Sequence, residues 1–157
     1  MNQIPLLIHH PFSSSIQDAL PAIAGIGYFR IEVLSLNTSV VHLLVNARPC
    51  VVVLSAFDSR AHSECVGLLK QLMNYRKSQN QISRDPTLRI VVVAEKVSVR
   101  IENWFKLGVH EYIIAPIPPK ALAFKLARHF HKVLSAADRL KDAPLPSEEV
   151  ELIEHKP

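Results

Sequence analysis

Glycine is scarce in this chain, with four in 157 residues, and none stands in a glycine-rich turn after the first apolar run. The phosphate-cradling loop of nucleotide-binding enzymes is therefore missing from its usual place; Gly25 and Gly27 come later, after the first helical stretch. Cysteine is nearly absent too. Cys50 precedes an apolar run and Cys65 falls in a helical stretch. Two isolated thiols do not make a disulfide framework, and they fit the reducing cytoplasm, which is the expected location. No apolar run exceeds about ten residues, well short of the ~20 that span a bilayer, so no membrane partner is expected. The N-terminus has no basic start leading to an apolar stretch and a small-residue cleavage site. Blocks of like charge are missing as well. The formal net charge is only +4, with a mild basic concentration between Lys120 and Lys141. At that density a basic helix reads as a solvated face, and DNA contact by this chain itself is not expected. What is present is apolar: 48% hydrophobic and 20% charged residues, enough for one domain with a proper core.

Five apolar runs have strand character: residues 4–8, 29–35, 50–54, 88–94 and 111–114. "CVVVL" and "LRIVVVA" are nearly unbroken β-branched and aliphatic sequence, which suits the centre of a parallel sheet covered on both faces. "FRIEVLS" alternates, as a strand with one wetter face does. Between them lie stretches with helical spacing at 13–24, 37–47, 61–77, 97–107 and 118–134, each with an apolar stripe or a capping residue at its start. Pro21 predicts a kink or an early end in the first, and Pro118 or Pro119 suits the first turn of the last. The expected fold is α/β: a five-stranded parallel sheet with helices on both faces, flavodoxin-like, (βα)5. Function in such sheets sits at the carboxyl ends of the strands. The domain is placed at 1–136. The proline-containing, charged tail at 137–157 is read as a linker or the start of a further domain.

The stretch "GVHEYIIAPIPPKAL", residues 108–122, resembles the closing strand and helix of the receiver domains of bacterial response regulators, the CheY-like family. Gly108, Tyr112, Ile113, Ile114 and Pro116 fall in place, and Ala115-Pro116 becomes a candidate cis peptide. The resemblance, which covers roughly residues 4 to 135, implies a site for aspartyl phosphorylation at the strand ends. It identifies Ser55 with the phosphoacceptor aspartate, Ala94 with the Ser or Thr that meets the phosphoryl group, and Ala115 with the lysine. His9 and His10 take the place of the acidic pair that holds magnesium. Every departure removes a part of one reaction. Magnesium wants carboxylate oxygens, a serine with no adjacent base is a weak nucleophile, and alanine neither donates to a phosphoryl group nor pairs with it.

The resemblance thus implies a pseudo-receiver of two-component signalling, with no enzymatic activity, no cofactor and no metal. It would act by protein–protein interaction, as an isologous homodimer and through an output domain or partner protein. The family's interaction surface, built from its last strand and last two helices, maps to Arg100, Glu102, Trp104, Lys106, Glu111, Lys120, Lys125 and Arg128. Of the adjacent Trp104 and Phe105 only one can face the sheet fully. Tyr112 matches the switch aromatic, expected to stay packed inward because Ala94 leaves room for it. "LPSEEVELI", residues 145–153, is similar to the opening of the helix-turn-helix domain of LuxR/NarL-type regulators. That implies transcription regulation, with DNA contact beyond Pro157. Two alternatives stand beside this reading. One is a receiver phosphorylated at a displaced Asp58, which otherwise reads, with Ser59, as a helix cap. The other is a small-ligand or nucleotide-binding α/β protein using Arg60, Arg84 and Arg100. A transition metal on His9 or His10, joined by His62 and Glu95, would need three or four ligands. His129 and His131 diverge on their helix and form no ligand pair.

Overall fold

The computed structural model describes residues 3–10, 14–35, 49–78, 87–95 and 101–142. The expected helix at 37–47, the polar stretch around 79–86, Arg100 and the segment "LPSEEVELI" lie outside the described residues. The strands are β1 (Ile4–His10), β2 (Phe29–Ser35), β3 (Cys50–Ala56), β4 (Leu88–Ala94) and β5 (Glu111–Ile114). They form one parallel sheet in the order β2-β1-β3-β4-β5. This is the doubly wound order in which β1 and β3 flank the topological switch point.

Alternation along the strands divides the core into two layers. Leu7, Val52, Leu54, Ile90 and Val92 face one side, where they meet Cys65, Leu68, Leu69 and Leu72 of α2 (Ser59–Ser78) and Trp104 of α3 (Ile101–Lys106). Leu6, Ile8, Val51, Val53, Val91 and Val93 face the other side, against Ile16, Ala19 and Ile23 of α1 (Ser14–Gly25) and Leu122, Leu126, Phe130 and Val133 of α4 (Pro119–Asp142). β3 is buried along its whole length, which explains its unbroken apolar sequence.

Two details differ from the sequence expectation, at the ends of the first and last helices. Helix α1 does not end at Pro21 but continues to Gly25. Proline there removes the N–H that would meet the Gln17 carbonyl, and both residues lie on the exposed side, where solvent reaches that carbonyl. Helix α3 is described over Ile101–Lys106, within the expected 97–107, and Gly108 follows it with a φ of 96°. The Val109 and Gly108 N–H groups donate back to the carbonyls of Trp104 and Phe105 at 3.1 and 3.0 Å, a Schellman closure that needs the left-handed glycine. Helix α4 runs past residue 134, and past the start of the expected linker, to Asp142. The run "LSAADRLKD" keeps good helix formers and helical apolar spacing, so nothing local stops it.

Candidate functional site

The strand ends come first because the topology points there. His9 is 2% exposed and Ser55 fully buried, with Ala94 and Ala115 each at 3%. The Nδ1 of His9 lies 3.6 Å from the Cys65 Sγ, and the Cys65 thiol also donates to the Ser55 carbonyl at 3.6 Å. Burial, with the charge of Glu64 adding to it, pushes the Cys65 thiol up to about 12. That is the direction taken by a buried structural cysteine rather than a reactive one. His10 is the last residue of β1, in register with Ser35; its side chain is outside the described residues.

The register separates positions that the resemblance grouped. Ser55 pairs with Val93, while the ladder neighbour of Ala94 is Ala56. Ala56 and Ala94 both pack in the α2–α3 layer, and Ala115 packs in the α1–α4 layer. Ser55 alternates with Leu54 and Ala56 and so turns toward the layer of Val51 and Val53. The strand-end positions share one edge without converging on one face. Ala94 and Ala115 are tied through the backbone, the Ala115 N–H donating to the Ala94 carbonyl at 2.6 Å, and the Ala115-Pro116 peptide is cis. Magnesium would meet no carboxylate at His9, Ser55, Ala94 or Ala115, so these residues do not fit the ion. Among the described residues, no three His, Cys, Asp or Glu side chains gather into a metal-binding group. His62 instead packs its ring edge-on to Trp104, centroids 4.9 Å apart.

Asp58 is exposed and sits at the start of α2, where its Oδ1 accepts from the Ala61 N–H at 2.8 Å and its carbonyl from the His62 N–H at 2.9 Å. This is an N-cap, as its sequence position predicts.

Polar chemistry is concentrated instead where β4 and β5 meet α4. Glu111 accepts from Lys125 Nζ at 3.0 Å and is joined to His129 Nε2 at 2.7 Å. Arg89 Nε donates to His129 Nδ1 at 3.2 Å. Nδ1 therefore presents its lone pair, the proton is on Nε2, and that proton goes to Glu111. His129 is a neutral bridge between a cation and an anion. Burial lowers its pKa, and the Arg89 charge adds to that against the raising effect of Glu111. Burial alone would raise Glu111, but the hydrogen bonds from His129 and Lys125 and the Lys125 charge outweigh it, leaving the carboxyl below its ordinary value. Spacing in the sequence carries no sign of this network, because its bonded pairs are 14 to 40 residues apart.

The residues expected on an interaction face divide. Lys106, Lys120 and Arg128 are exposed. Glu111 and Lys125 are on the flank but paired with each other. Only the backbone of Glu102 is described. Trp104 is a correction: it is 1% exposed, inside the α2–α3 layer, and Phe105 is its exposed neighbour at 42%. Neighbours on a helix stand ~100° apart, so only one of the pair takes the buried face, and it is the larger ring. Tyr112 packs against the same layer with its ring centroid 6.2 Å from that of Trp104, the inward placement expected of it. On β5 and α4 two exposed apolar residues were not foreseen, Ile114 at 43% and Phe124 at 67%. Phe124 was legible, since it stands about 200° around the helix from the stripe begun by Leu122, at ~100° per residue.

No protein-family model matches the chain, and no curated protein matches it. Solved structures do. The signal receiver domain of a LuxO repressor protein from Vibrio parahaemolyticus is 11% identical, with a TM-score of 0.60 over 91% of this chain and 100% of that one. A CheY-like response regulator receiver domain protein from Methanospirillum hungatei is 14% identical, with a TM-score of 0.58 over 85% and 98%. A CpaE2 pilus assembly protein from Sinorhizobium meliloti is 15% identical, with a TM-score of 0.54 over 80% and 99%. At such identities the likeness is one of architecture, and with the strand order and layers described above it gives this chain the CheY-like fold of the response regulator receiver domains.

Proposed function

We propose that this is a pseudo-receiver, a cytoplasmic regulatory module that works by binding and is not switched by aspartyl phosphorylation. The observation that carries the reading is the state of the strand ends: His9, Ser55, Ala94 and Ala115 are uncharged or neutral-capable side chains sealed in the core. An ion-assisted phosphoryl transfer needs carboxylates open to solvent in the same place. Asp58 is a poor substitute nucleophile because its carboxylate is held in a helix cap. The binding face is the flank of α3, β5 and α4. Phe105, Ile114 and Phe124, one from each element, are large hydrophobic residues exposed among the described ones, and Lys106, Lys120 and Arg128 supply a charged surround. Aromatic anchors in a polar rim are the usual anatomy of an interface. The partner is a second copy or an output domain, with transcription regulation as the output. The pilus assembly name of one similar structure favours a second output, a protein partner in an assembly machine.

Two measurements test this. Acetyl phosphate or beryllofluoride with magnesium should leave mass and melting temperature unchanged; a thermal shift that Asp58→Asn abolishes would establish the displaced acceptor instead. Sedimentation should show a dimer that Phe124→Asp dissociates by about 1–3 kcal/mol while circular dichroism is unchanged. If the wild-type chain is a monomer, or the variant still dimerises, the flank is not a homodimer interface.

A further inference from the structure

One side chain in the network at β4, β5 and α4 can change its charge near neutrality, and its contacts fix what that change does. His129 stands between Arg89 of β4 and Glu111 of β5. Arginine keeps its protons at any pH a protein survives. At 3.2 Å the Arg89 Nε–H can therefore only donate, and the His129 Nδ1 can only accept. The one imidazole proton is then on Nε2, directed at Glu111 Oε1 at 2.7 Å. A second proton has a single place to go, Nδ1, and imidazolium has no lone pair left. It cannot be added without breaking the bond to Arg89.

The two contacts respond in opposite senses. Toward Glu111 the ring gains a charge, and a hydrogen bond becomes an ion pair of the stronger, charge-assisted kind. Toward Arg89 it presents a like charge at contact distance. Glu111 itself is held in place, because its Oε2 accepts from Lys125 at 3.0 Å. Lys125 and His129 are four residues apart on α4, so one carboxylate of β5 pins a single turn of the helix from both ends. Beyond that turn the helix meets Arg89 across a cleft of about 330 Å³, which Arg89 lines with His131, Lys132, Ser135, Ala136 and Arg139. The guanidinium has room there to withdraw. Phe130 and Val133 belong to the α1–α4 layer, so the helix stays on the sheet and only its seat changes.

Surrounding groups set the range. Burial opposes a proton on His129 most, Arg89 and Lys132 add to that, Glu111 favours it, and the balance lies below the ordinary value. On the other elements packed against α4, Asp18 is the one titratable residue of α1 and is exposed, and Cys50 of β3 lies in the opposite layer. Glu111, also lowered, keeps its charge to below ~4.3.

We propose that His129 is a proton-operated latch between α4 and the sheet: a proton on Nδ1 releases Arg89 of β4, strengthens the hold of Glu111 on β5, and reseats the half of α4 that follows. The domain then has a response to acidification that passes through neither the strand ends nor a ligand.

The full chain, labelled with 15N, is titrated from about pH 7.5 to about pH 4.5 and followed at its imidazole, guanidinium and backbone nitrogens. Near neutrality His129 should show a protonated Nε2 and a bare Nδ1. As it takes up the second proton, the Arg89 Nε–H and the amides of 132–139 should shift with the same midpoint, while those of 119–124 do not. His129→Gln can accept from Arg89 through its carbonyl and donate to Glu111 through its amide at every pH, so it should abolish the transition. Arg89→Gln, which removes an opposing charge, should raise the His129 midpoint by about half a pH unit or more. His131→Gln, at an exposed position of the same helix, should leave the transition where it is. The latch is overturned if Nδ1 carries the proton near neutrality, if His129 stays neutral down to about pH 4.5, or if it titrates with residues 132–139 unmoved. A transition that survives His129→Gln overturns it as well, and the parent titration decides by itself should a substitution unfold the chain.

Discussion

The two ends of interest in this molecule contrast in where their polarity lies. At the strand ends, positions that carry acids, a hydroxyl and a cation in receivers hold His9, Ser55, Ala94 and Ala115, all buried. On the β4–β5–α4 flank, four charged or titratable side chains are linked: Arg89 to His129, His129 to Glu111, Glu111 to Lys125. The difference teaches that strand ends without charged side chains need not loosen the fold around them. The strand ends are closed by small side chains and backbone contacts, and the directional, charge-assisted bonds that pin α4 to the sheet lie elsewhere.

The contrast is broken most strongly through aromatic residues on α4 itself. Phe130 is fully buried, stacked on Tyr28 at 4.3 Å and edge-on to Phe29 at 5.6 Å. Phe130→Ala should cost about 3–5 kcal/mol in urea unfolding. Phe124→Ala, one and a half turns away, should stay within about 0.5 kcal/mol. Equal costs would mean that Phe124 is covered within the monomer and is no contact point.

Next comes the network. Glu111→Gln removes the charge that Lys125 and His129 face, and should cost about 1–3 kcal/mol at neutral pH, read from the denaturation midpoint. The pH dependence has a definite sign. His129 and Glu111 both have lowered pKa values. As pH falls, the unfolded chain takes up protons that the folded chain refuses, so stability is lost. For His129 the loss begins near the ordinary histidine value of ~6.5, and for Glu111 near ~4.3. His129→Gln should flatten the slope of stability against pH just below 6.5 relative to the parent; an unaltered slope would show that His129 titrates alike in both states.

The smallest of these effects belongs at the start of α2. Asp58→Ala removes the bond to the Ala61 N–H and should cost about 1 kcal/mol in thermal unfolding. A neutral result would free Asp58 from its capping role and reopen it as an acceptor.

The architecture was legible because burial on both faces writes itself into sequence. β2, β4 and β5 begin and end where the apolar pattern places them, and β1 and β3 each run two residues further than expected. The proline and glycine of "GVHEYIIAPIPPKAL" behave as their chemistry requires. The site was only half legible. Residue types at the strand ends announced what is missing, but not that Ala94 sits beside Ala56, which depends on a ladder register. Nor could local spacing choose between Trp104 and Phe105, or join Arg89 to His129 across 40 residues. Those are tertiary facts, set by which surfaces meet.

Helix α4 is 24 residues long, about 36 Å at 1.5 Å per residue, whereas a seven-residue strand spans only about 23 Å. Among its described side chains the last buried one is Ala136, and Asp138 and Arg139 stand in solvent. The helix is longer than the sheet is deep, and so makes a spindle whose hydrogen bonding is uninterrupted to Asp142. A spindle transmits rotation, where a coil would let it dissipate. Each residue of overhang turns the direction of exit by about 100°, so inserting or deleting a single residue between 137 and 142 would re-aim whatever is joined there without touching the core.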